Sequence, residues 1–393
     1  MRIGLLLSAA SRLGSGVAEV VLMHARMMRD AGGFEPVVFT LQDIHMEADR
    51  DRWDGIPLTA LPVVGPEFLG YAPRLVKALR DADLDLLHLH GLWKYPSSAA
   101  STWAKQTGRP HVISPHGMLD PWILGRNSWK KTIARAAYER ANWTRAALFH
   151  ALTEAEAGDI RRSAPGAAVE VVPNAIPGIE TATHDAEGRA DVLFLGRIHP
   201  KKNIAALVDA WVASRGSLAD SPARLVIAGW GEDKHVKELE AKLAEVRDPS
   251  VVFVGPKYGA EKAELIGTAR FLALPSLSEG LPMAVLEAWA AGTPCLMSAG
   301  CNLPEGFQVG AALDTGMEIE TIRTSLIRGM TMSAAEWSAM SRAATALVGR
   351  RFSRDHVAQR WCDIYSMLQD RGGKRPAATP RRPSMSRTSR VRR

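Results

Sequence analysis

The sequence predicts an α/β protein in which two Rossmann-like, doubly wound domains face each other across a cleft. Three observations predict this fold class. With 393 residues, the chain exceeds the size at which one hydrophobic core usually keeps growing. Short apolar runs alternate with helical segments, which is typical of a parallel sheet covered by helices on both faces. The alternation stops over residues 179–191 and then starts again, which indicates a connector between two halves.

The first half covers residues 1–178 and alternates from its start. A short apolar run after Met1 and Arg2 leads into a glycine-containing loop, so it is predicted to be a strand and not a signal peptide. The predicted strands are residues 3–7, 36–40, 85–90, 111–114, 146–150 and 169–172. The predicted helices are residues 17–31, 74–82 and 97–106.

The second half covers residues 192–352 and repeats the pattern. Its predicted strands are residues 192–195, 224–228, 251–254, 271–274 and 294–297. Its predicted helices are residues 203–213, 232–246, 259–267, 283–291, 317–329 and 333–348. Residues 353–370 form a last predicted helix, for which a return to the first half is one option.

The net charge of +7 arises from one segment. The last 23 residues hold nine of the 49 Lys and Arg residues and no acid, so the rest of the chain is close to neutral. Their Arg, Pro and Ser content predicts that residues 371–393 form a disordered basic tail, either solvated or in contact with an anionic membrane. Because the basicity belongs to this tail, nucleic acid is not a predicted partner.

Cysteine content and hydropathy predict the compartment. Cys295, Cys301 and Cys362 are an odd number without metal-binding spacing, which is typical of a reducing environment. No apolar run approaches the roughly 20 residues that span a bilayer. We therefore expect a cytoplasmic protein, with peripheral attachment to the inner face of the plasma membrane left open.

The first loop contains Gly14 and Gly16 between a predicted strand and a helix, as dinucleotide-binding loops do. Glu19 stands in the place of the third glycine, where its carboxylate would lie beside a pyrophosphate. We therefore expect neither a nicotinamide nor a flavin nucleotide here, although the loop lets backbone approach some ligand closely.

The second half opens with a basic loop. Gly196 and Arg197 follow its first strand, and Lys201, Lys202 and Asn203 open the next helix. A guanidinium and an ammonium at a strand end suit a diphosphate and the charge that develops on it as it departs. Two lysines at a helix N-terminus oppose the helix dipole, which favours an anionic ligand over a merely solvated helix start.

Glu279 and Glu287 flank a Gly-Pro turn and the start of an apolar helix. Gly280 lets backbone approach an anion, and the first amides of helix 283–291 would be unpaired beside it. A carboxylate on each side of an anion cradle suits a group that carries both phosphates and sugar hydroxyls. The alternative is an ordinary strand–turn–helix in which Glu287 faces solvent.

Several segments together resemble the retaining glycosyltransferases of family 4, the group 1 transferases with the GT-B fold. In the second half they are GRIHPKKN (196–203), AGWGE (228–232) and SEGLPMAVLEAWAAGTP (278–294). In the first half they are GSGVAE (14–19), HLHGLWKYPS (88–97), SPHGMLDPW (114–122), ALTEAE (151–156) and VVPNAI (171–176). The resemblance extends from residue 1 to about residue 370, and only the basic tail lies outside it.

The resemblance implies a donor site for a nucleotide-diphosphate sugar. Arg197 and Lys202 would contact the diphosphate, Glu287 the ribose hydroxyls, and Glu279 the reacting face of the sugar. The remaining implied donor contacts are Gly196, the backbone of Gly280, Leu281 and Met283, and, on the opposite wall, Gly14, Ser15 and Gly16. Asn203 replaces a glycine that is common in the family.

The first half would supply the acceptor side. His116 lies where the family places a histidine close to the transferred sugar; the alternative is a hydrogen-bonded loop histidine without a function. Catalytic roles are thus implied for His116, Arg197, Lys202 and Glu279. The acceptor-side residues would be His90, Trp93 and Trp122.

Two patterns permit a metal-site interpretation that we do not adopt. His88 and His90 share one face of a strand end, but no third ligand has a fitting spacing. Asp81 and Asp83 form a D-x-D pattern used by metal-dependent transferases of another fold. Because the surrounding motifs resemble the metal-independent fold, we predict no metal and no cofactor, with the nucleotide-diphosphate sugar as a substrate.

Residues 126–145 carry six basic residues and one acid, with Trp129, Ile133, Ala136 and Ala137 at helical spacing. This segment predicts one of two arrangements. Either it rests on an anionic membrane or faces a lipid diphosphate, or its apolar stripe packs on the core while its basic face is solvated.

The predicted function is a retaining, metal-independent glycosyltransferase that moves a sugar from a nucleotide donor to a glycan or lipid-linked glycan. Cell-surface polysaccharide or lipopolysaccharide synthesis is the expected context. One alternative is a GT-B sugar-nucleotide epimerase or phosphorylase; an epimerase would need no acceptor. A second alternative is a non-catalytic partner subunit, which would bind the nucleotide sugar without turnover.

Overall fold

The computed structural model describes residues 1–125, 128–176, 184–218 and 221–371. These residues form two sheets in which every strand pair is parallel, one of seven strands and one of six. Helices cover both sheets, so the predicted fold class of two doubly wound α/β domains is confirmed. Residues 179–183 of the predicted connector and residues 372–393 of the predicted tail lie outside the described residues.

The first sheet has the order β3-β2-β1-β4-β5-β6-β7. Its strands are β1 (Arg2–Leu7), β2 (Glu35–Leu41), β3 (Leu58–Leu61), β4 (Leu86–His90), β5 (His111–Ser114), β6 (Leu148–Ala151) and β7 (Val169–Val171). Strand order reverses between β1 and β4, where Leu7 pairs with His90. Ligands of open parallel sheets bind at such a reversal, beyond the carboxyl ends of the strands.

The helices of the first half lie between these strands. They are α1 (Ser15–Ala31), α2 (Leu75–Asp81), α3 (Tyr95–Thr107), α4 (Pro121–Gly125), α5 (Ser128–Ala134), α6 (Arg140–Arg145) and α7 (Glu154–Ser163). A π-helical turn, Arg135–Glu139, joins α5 to α6. The three helices predicted for this half are found with small shifts of their ends, whereas α4 to α7 were not assigned from the sequence.

The second sheet has the order β10-β9-β8-β11-β12-β13 and reverses between β8 and β11. Its strands are β8 (Val192–Leu195), β9 (Leu225–Ala228), β10 (Val251–Phe253), β11 (Phe271–Leu274), β12 (Cys295–Met297) and β13 (Ala312–Asp314). Its helices are α8 (Ile204–Ser214), α9 (Asp233–Val246), α10 (Gly259–Thr268), α11 (Met283–Ala290), α12 (Pro304–Gln308), α13 (Ile319–Met330) and α14 (Ala334–Arg351).

Two strands were not predicted, and both are short edge strands. β3 has four residues of which one is buried, and β13 has three of which one is buried. An apolar run that is only partly buried carries a weak strand signal, because its exposed positions are free to be polar. Both sheets are therefore one strand wider than the apolar runs indicated.

The last helix, α15 (Arg354–Arg371), packs on the first half although it follows the second half in the chain. Trp361, Tyr365 and Leu368 are buried in the core that also contains α1. A parallel bridge between Ile176 and Ser353 lies where the chain returns. Across the described ranges, no helix is both long enough and apolar enough to cross a membrane.

Substitution of Trp361 tests the packing of α15 on the first half. Its side chain is 3% exposed and lies among His24, His88, His150 and Tyr365. Trp361→Ala should reduce the free energy of unfolding of the first half by about 3 kcal/mol or more, because it leaves a large cavity. Urea titration followed by circular dichroism measures this loss. The exposed Trp129 is the matched control, and its replacement by Ala should change stability by less than about 0.5 kcal/mol. Equal effects of the two substitutions would contradict the docking of α15.

Candidate functional site

Strained backbone marks the carboxyl-end loops of both sheets. Seven described residues other than glycine have a positive φ, and five of them lie in loops that follow β1, β4, β5, β8 and β12. These five are Ser15, Trp93, His116, Asn203 and Asn302. Positive φ costs free energy in residues with a side chain, and such strain concentrates at functional sites. Three of the five were selected from the sequence as site residues.

An ion pair joins the two second-half loops that were predicted to hold the donor. Lys202 follows β8 in a short 3₁₀ turn, and Glu279 follows β11. The Lys202 Nζ lies 2.5 Å from the Glu279 Oε1, and the two side chains are only 18% and 11% exposed. Each charge is therefore compensated by the other, and removal of either partner would leave a mostly buried charge unpaired.

Two glycines that follow the neighbouring strand β9 allow close packing against the Arg197 loop. A Cβ at Gly229 would lie 1.8 Å from the carbonyl oxygen of Gly196, and a Cβ at Gly231 would lie 2.4 Å from that of Ile198. Only glycine permits these approaches, which explains both glycines of the AGWGE segment. Arg197 itself is exposed, and within the described residues no ion pair holds its guanidinium.

Asn203 fits the place of the family's glycine for a physical reason. It has a φ of 57° and lies in the left-handed region, which Asn tolerates better than most residues. Its Nδ2 donates to the Met317 carbonyl at 2.8 Å. The departure from the family pattern therefore preserves the backbone conformation that places Lys202.

The turn before α11 is open on one side. A Cβ at Gly280 would meet no described atom within 4 Å, and among the described residues no side chain caps the N-terminus of α11. Leu281 packs against the hydrophobic core of the second half. Met283 contacts the first half, where the Asn174 Nδ2 lies 3.7 Å from the Met283 Sδ. The uncapped helix end therefore lies where the two halves meet, and its N-terminal dipole attracts an anion.

Glu287 lies one turn inside α11 and pairs with a lysine that the sequence did not single out. Its Oε1 is 2.8 Å from the Nζ of Lys262 on α10, and the Glu287 side chain is half-buried. Glu287 is therefore held in an ion pair and is not fully exposed to solvent. Both carboxylates of the motif are paired with lysines in this structure.

The opposite wall begins with the glycine loop after β1. A Cβ at Gly14 would lie 2.1 Å from the Ala9 carbonyl oxygen, so Gly14 allows tight packing of the loop. A Cβ at Gly16 would meet nothing within 4 Å, and Ser15 between them has a φ of 48°. The backbone at residues 15 and 16 is thus the accessible part of this loop. Glu19 forms an ion pair with Arg52 on the protein surface.

Two contacts bring the walls together. The Ser278 Oγ donates to the Asp120 Oδ2 at 3.4 Å, and Asn174 touches Met283 as described above. Ser278 directly precedes Glu279, and Asp120 follows the His116 loop. The cleft is therefore bounded by the loops after β5 and β11.

His116 lies in the loop after β5 with a φ of 53° and contacts His90 at the end of β4. The His90 Nδ1 and the His116 Nε2 are 3.0 Å apart and share one hydrogen. Burial lowers the pKa of His116 to about 3 and that of His90 well below its ordinary value, so both rings are neutral at pH 7. His90 is nearly fully buried, so its acceptor-side role stays a prediction.

A chain of hydrogen bonds runs beneath this pair and fixes the tautomer of each histidine in it. A carbonyl only accepts, so the His150 Nε2 donates to the Val172 oxygen at 2.7 Å. The Ser114 hydroxyl must then donate to the His150 Nδ1 at 2.6 Å, and it accepts from the His88 Nε2 at 2.6 Å.

The chain ends on the last helix. Because the His88 Nε2 donates, its Nδ1 accepts from the Tyr365 hydroxyl at 2.7 Å, and Tyr365 accepts from the His24 Nε2 at 2.7 Å. Burial lowers the pKa of all three histidines, to about 3 for His24 and about 4 for His150. This single direction of hydrogen-bond donation requires that each ring is neutral. The helix α15 is therefore joined to α1, β4, β5 and β6 by uncharged groups.

Trp93, after β4, also has a positive φ, of 73°. Its amide donates to the Glu139 Oε1 at 2.6 Å, and its carbonyl accepts from the Tyr138 hydroxyl at 2.9 Å. Trp122 lies in α4, and the prediction for its side chain falls outside the described residues. The acceptor-side roles of both tryptophans stay predictions.

The patterns considered for metal binding do not assemble a ligand set. Among the residues that the structure describes, no group of three or more His, Cys, Asp or Glu is arranged to hold a metal ion. Asp81 pairs with Lys77, and Asp83 pairs with Arg109 at 3.0 Å. The D-x-D aspartates are thus engaged in surface ion pairs, away from the candidate site.

Sequence reasoning missed several residues that shape the site. They are Asp120, Gly229, Gly231, Lys262, Ser278, Asn302 and Tyr365. Asn302 donates from its Nδ2 to the Glu279 carbonyl at 2.5 Å, and Lys262 pairs with Glu287. The two glycines stood in a quoted motif and could have been found from it, but the partners of the glutamates depend on contacts between distant segments.

Comparison with known proteins shows the family of the chain. A family model described as Glycosyl transferase 4-like domain matches residues 15–175, and one described as Glycosyl transferases group 1 matches residues 189–330. A D-inositol 3-phosphate glycosyltransferase of Salinispora tropica is 31% identical over 92% of this chain and 79% of its own length. A GDP-mannose:cellobiosyl-diphosphopolyprenol alpha-mannosyltransferase of Xanthomonas oryzae is 24% identical over 89% of this chain and 92% of its own.

Solved structures share the architecture at low sequence identity. The Anabaena protein Alr3699/HepE in complex with UDP superimposes with a TM-score of 0.75 at 17% identity, over 93% of this chain and all of the other. The lipopolysaccharide outer core galactosyltransferase WaaB in its apo form gives a TM-score of 0.69 at 19% identity, over 93% of this chain and all of the other. These likenesses concern the fold.

The neutral histidine chain predicts an acid dependence of stability. The pKa of His150 is lowered by burial from 6.5 to about 4 in the folded protein. Between these values the unfolded chain binds a proton that the folded protein does not, so stability rises with pH and is lost as pH falls through this window. Each such histidine should change the unfolding equilibrium constant by about tenfold per pH unit.

His150→Gln tests this slope, because the glutamine amide can also donate to Val172 and accept from Ser114 while it cannot titrate. In urea titrations at pH 5 and pH 6, within the window, the unfolding equilibrium constant of the variant should change about tenfold less per pH unit than that of the unsubstituted protein, because one proton is lost from the slope while the other buried histidines still contribute. The exposed His356, replaced by Gln, is the matched control and should keep the full slope. An unchanged slope in the His150 variant would show that this ring does not stay neutral when folded.

Proposed function

The chain belongs to the group 1 glycosyl transferases and has the GT-B fold, and on this premise we propose that it transfers a sugar, with retention of configuration, from a nucleotide-diphosphate donor to a glycan or lipid-linked glycan. The Lys202–Glu279 pair carries the proposal. It stands beside Gly280 and the uncapped N-terminus of α11, with the exposed Arg197 on the adjoining loop.

A diphosphate fits between these groups because each offers it a favourable charge or dipole. Lys202 and Arg197 supply positive charge, and the first amides of α11 supply donors and the positive end of the helix dipole. When the diphosphate pairs with the Lys202 ammonium, the Glu279 carboxylate becomes available to accept hydrogen bonds from sugar hydroxyls. Glu287, a turn further on, is placed for the ribose hydroxyls, with Lys262 as its support.

The proposed reaction needs no protein nucleophile. The bond between the anomeric carbon and the diphosphate oxygen breaks, and Lys202, Arg197 and the helix amides stabilise the charge on the departing diphosphate. The acceptor hydroxyl attacks from the same face and gives its proton to a phosphate oxygen of the leaving group. His116, neutral and with its Nδ1 not bonded to any described residue, is the proposed partner of a sugar hydroxyl.

The relatives supply the first substrates to test. Several have names that include GDP-mannose, and two of these include a diphosphopolyprenol acceptor. We therefore propose GDP-mannose as the first donor and a polyprenyl-diphosphate glycan as the first acceptor class, in cytoplasmic synthesis of a cell-surface glycan. Release of GDP that increases when acceptor is added would support transfer, whereas conversion of the donor without acceptor would favour an epimerase, and binding without turnover a partner subunit.

Arg197→Ala should lower kcat by about 10²-fold or more, because it removes a cation from the departing diphosphate. Nucleotide release with a fixed donor and acceptor measures the effect, and the anomeric proton of the product, observed by NMR, reports retention. Arg342→Ala on α14, an exposed arginine away from the cleft, is the matched control and should keep normal turnover. Near-normal turnover of the Arg197 variant, or an inverted product, would contradict the mechanism.

Activity should survive a chelator. Lys202, Arg197 and the α11 amides supply the positive charge that Mg²⁺ or Mn²⁺ supplies in other phosphate-transfer sites. Turnover measured in excess EDTA should equal turnover with added Mn²⁺. Complete loss in EDTA, restored by Mn²⁺, would contradict this prediction while leaving the transfer reaction itself untouched.

A further inference from the structure

Six large apolar side chains are exposed together on the first half, on two segments far apart in sequence. They are Val64, Phe68, Leu69, Tyr71, Trp129 and Ile133, and we call them the Trp129 surface. Phe68, Trp129 and Ile133 are 61%, 63% and 59% exposed. The Lys130 Nζ joins the segments, because it lies 5.3 Å from the Phe68 ring centre and 5.5 Å from that of Trp129.

The apolar stripe of this segment faces outward. One arrangement expected from the sequence, in which Trp129, Ile133, Ala136 and Ala137 pack on the core, is wrong, because all four are exposed. The inward side of the segment is formed instead by Ala134, Glu139, Asn142 and Trp143. Large exposed apolar side chains on two segments that Lys130 joins mark a contact surface for another molecule or a membrane.

The loop that carries the other half of the surface is anchored. The Val64 amide donates to the Tyr71 carbonyl at 2.8 Å, and the Tyr95 amide donates to the Leu69 carbonyl at 2.9 Å. The Tyr71 ring packs edge-on against Tyr95 at 4.9 Å. The apolar side chains are therefore presented by a folded loop, and their exposure is a property of the fold.

The charges around the surface select its partner. Lys130 lies within it, and the Lys94 side chain lies against the loop, where a Cβ at Gly70 would be 3.7 Å from the Lys94 Cδ. The exposed Glu67 is the acid in the loop. Trp and Lys side by side are typical of protein surfaces that lie in the interfacial region of a bilayer, with the ring among the acyl chains and the ammonium at the anionic headgroups. We propose that the Trp129 surface docks the protein on an anionic lipid bilayer.

The position of the surface agrees with such docking. Its two segments follow β3 and β5, so both leave the carboxyl edge of the first sheet, where His116 also lies. Docking there would put the acceptor side of the cleft next to the membrane. Bilayer binding itself does not depend on the proposed transfer reaction and is measured without any substrate.

Flotation of the full chain with vesicles tests the proposal. Binding should be stronger to vesicles of phosphatidylcholine with phosphatidylglycerol than to phosphatidylcholine alone, and salt should weaken it. The double variant Trp129→Ala, Ile133→Ala should bind about tenfold or more weakly, since two interfacial side chains are lost. Tyr258→Ala with Ile319→Ala removes two exposed apolar side chains of the second half and is the matched control, with binding unchanged.

A chain that ends at Arg371 separates this surface from the basic tail and should keep most of the binding. Three outcomes would overturn the proposal. They are equal binding of the double variant and the full chain, loss of all binding on removal of the tail, and absence of vesicle binding together with self-association that the double variant abolishes. The last outcome would assign the surface to a second copy of the chain. Circular dichroism of the variants confirms that they are folded.

Discussion

Parallel pairing of β8 with β11 is the constraint on which the candidate site depends. Lys202 and Glu279 are 77 residues apart in sequence, yet each lies in the loop that follows one of these two strands. Parallel strands end at the same edge of a sheet, so their loops meet there whatever their separation in sequence. The segment after β9 packs closely against the Arg197 loop, which Gly229 and Gly231 make possible. The ion pair is therefore a consequence of topology, and the sequence adds only the residue types.

In the first half, a hydrogen-bond chain stabilises the loops at the carboxyl edge of the sheet. This hydrogen-bond chain runs from Val172 through His150, Ser114 and His88 to Tyr365. An uninterrupted chain of neutral donors and acceptors satisfies polar groups that would be costly to bury alone. The helix that completes it, α15, is the last described element of the chain. The core of the first half is thus complete only when α15 has packed on it.

Patterns that depend on local sequence were predictable, and contacts between distant segments were not. The strands of the two cores and the start of α11 at Met283 follow from apolar runs and from Pro282. The edge strands β3 and β13 were missed because their exposed positions dilute the apolar signal. The outward stripe at Trp129 could not be decided from its period, since helical spacing gives the relative positions of side chains but not the side that the core occupies.

The Lys202–Glu279 pair also limits which ligands can occupy the site. In the structure, the mostly buried charges of Lys202 and Glu279 compensate each other. A ligand that engaged only the ribose or the base would leave the pair intact and would leave Glu279 unavailable to a sugar. A diphosphate can replace the Glu279 carboxylate as the partner of the Lys202 ammonium at little electrostatic cost, because one anion replaces another. In the proposed reaction, the sugar hydroxyls would then replace the ammonium as partners of the released carboxylate. The proposal therefore implies that binding of the diphosphate and binding of the sugar are coupled through Lys202, and that a nucleotide without both groups would satisfy only part of the site.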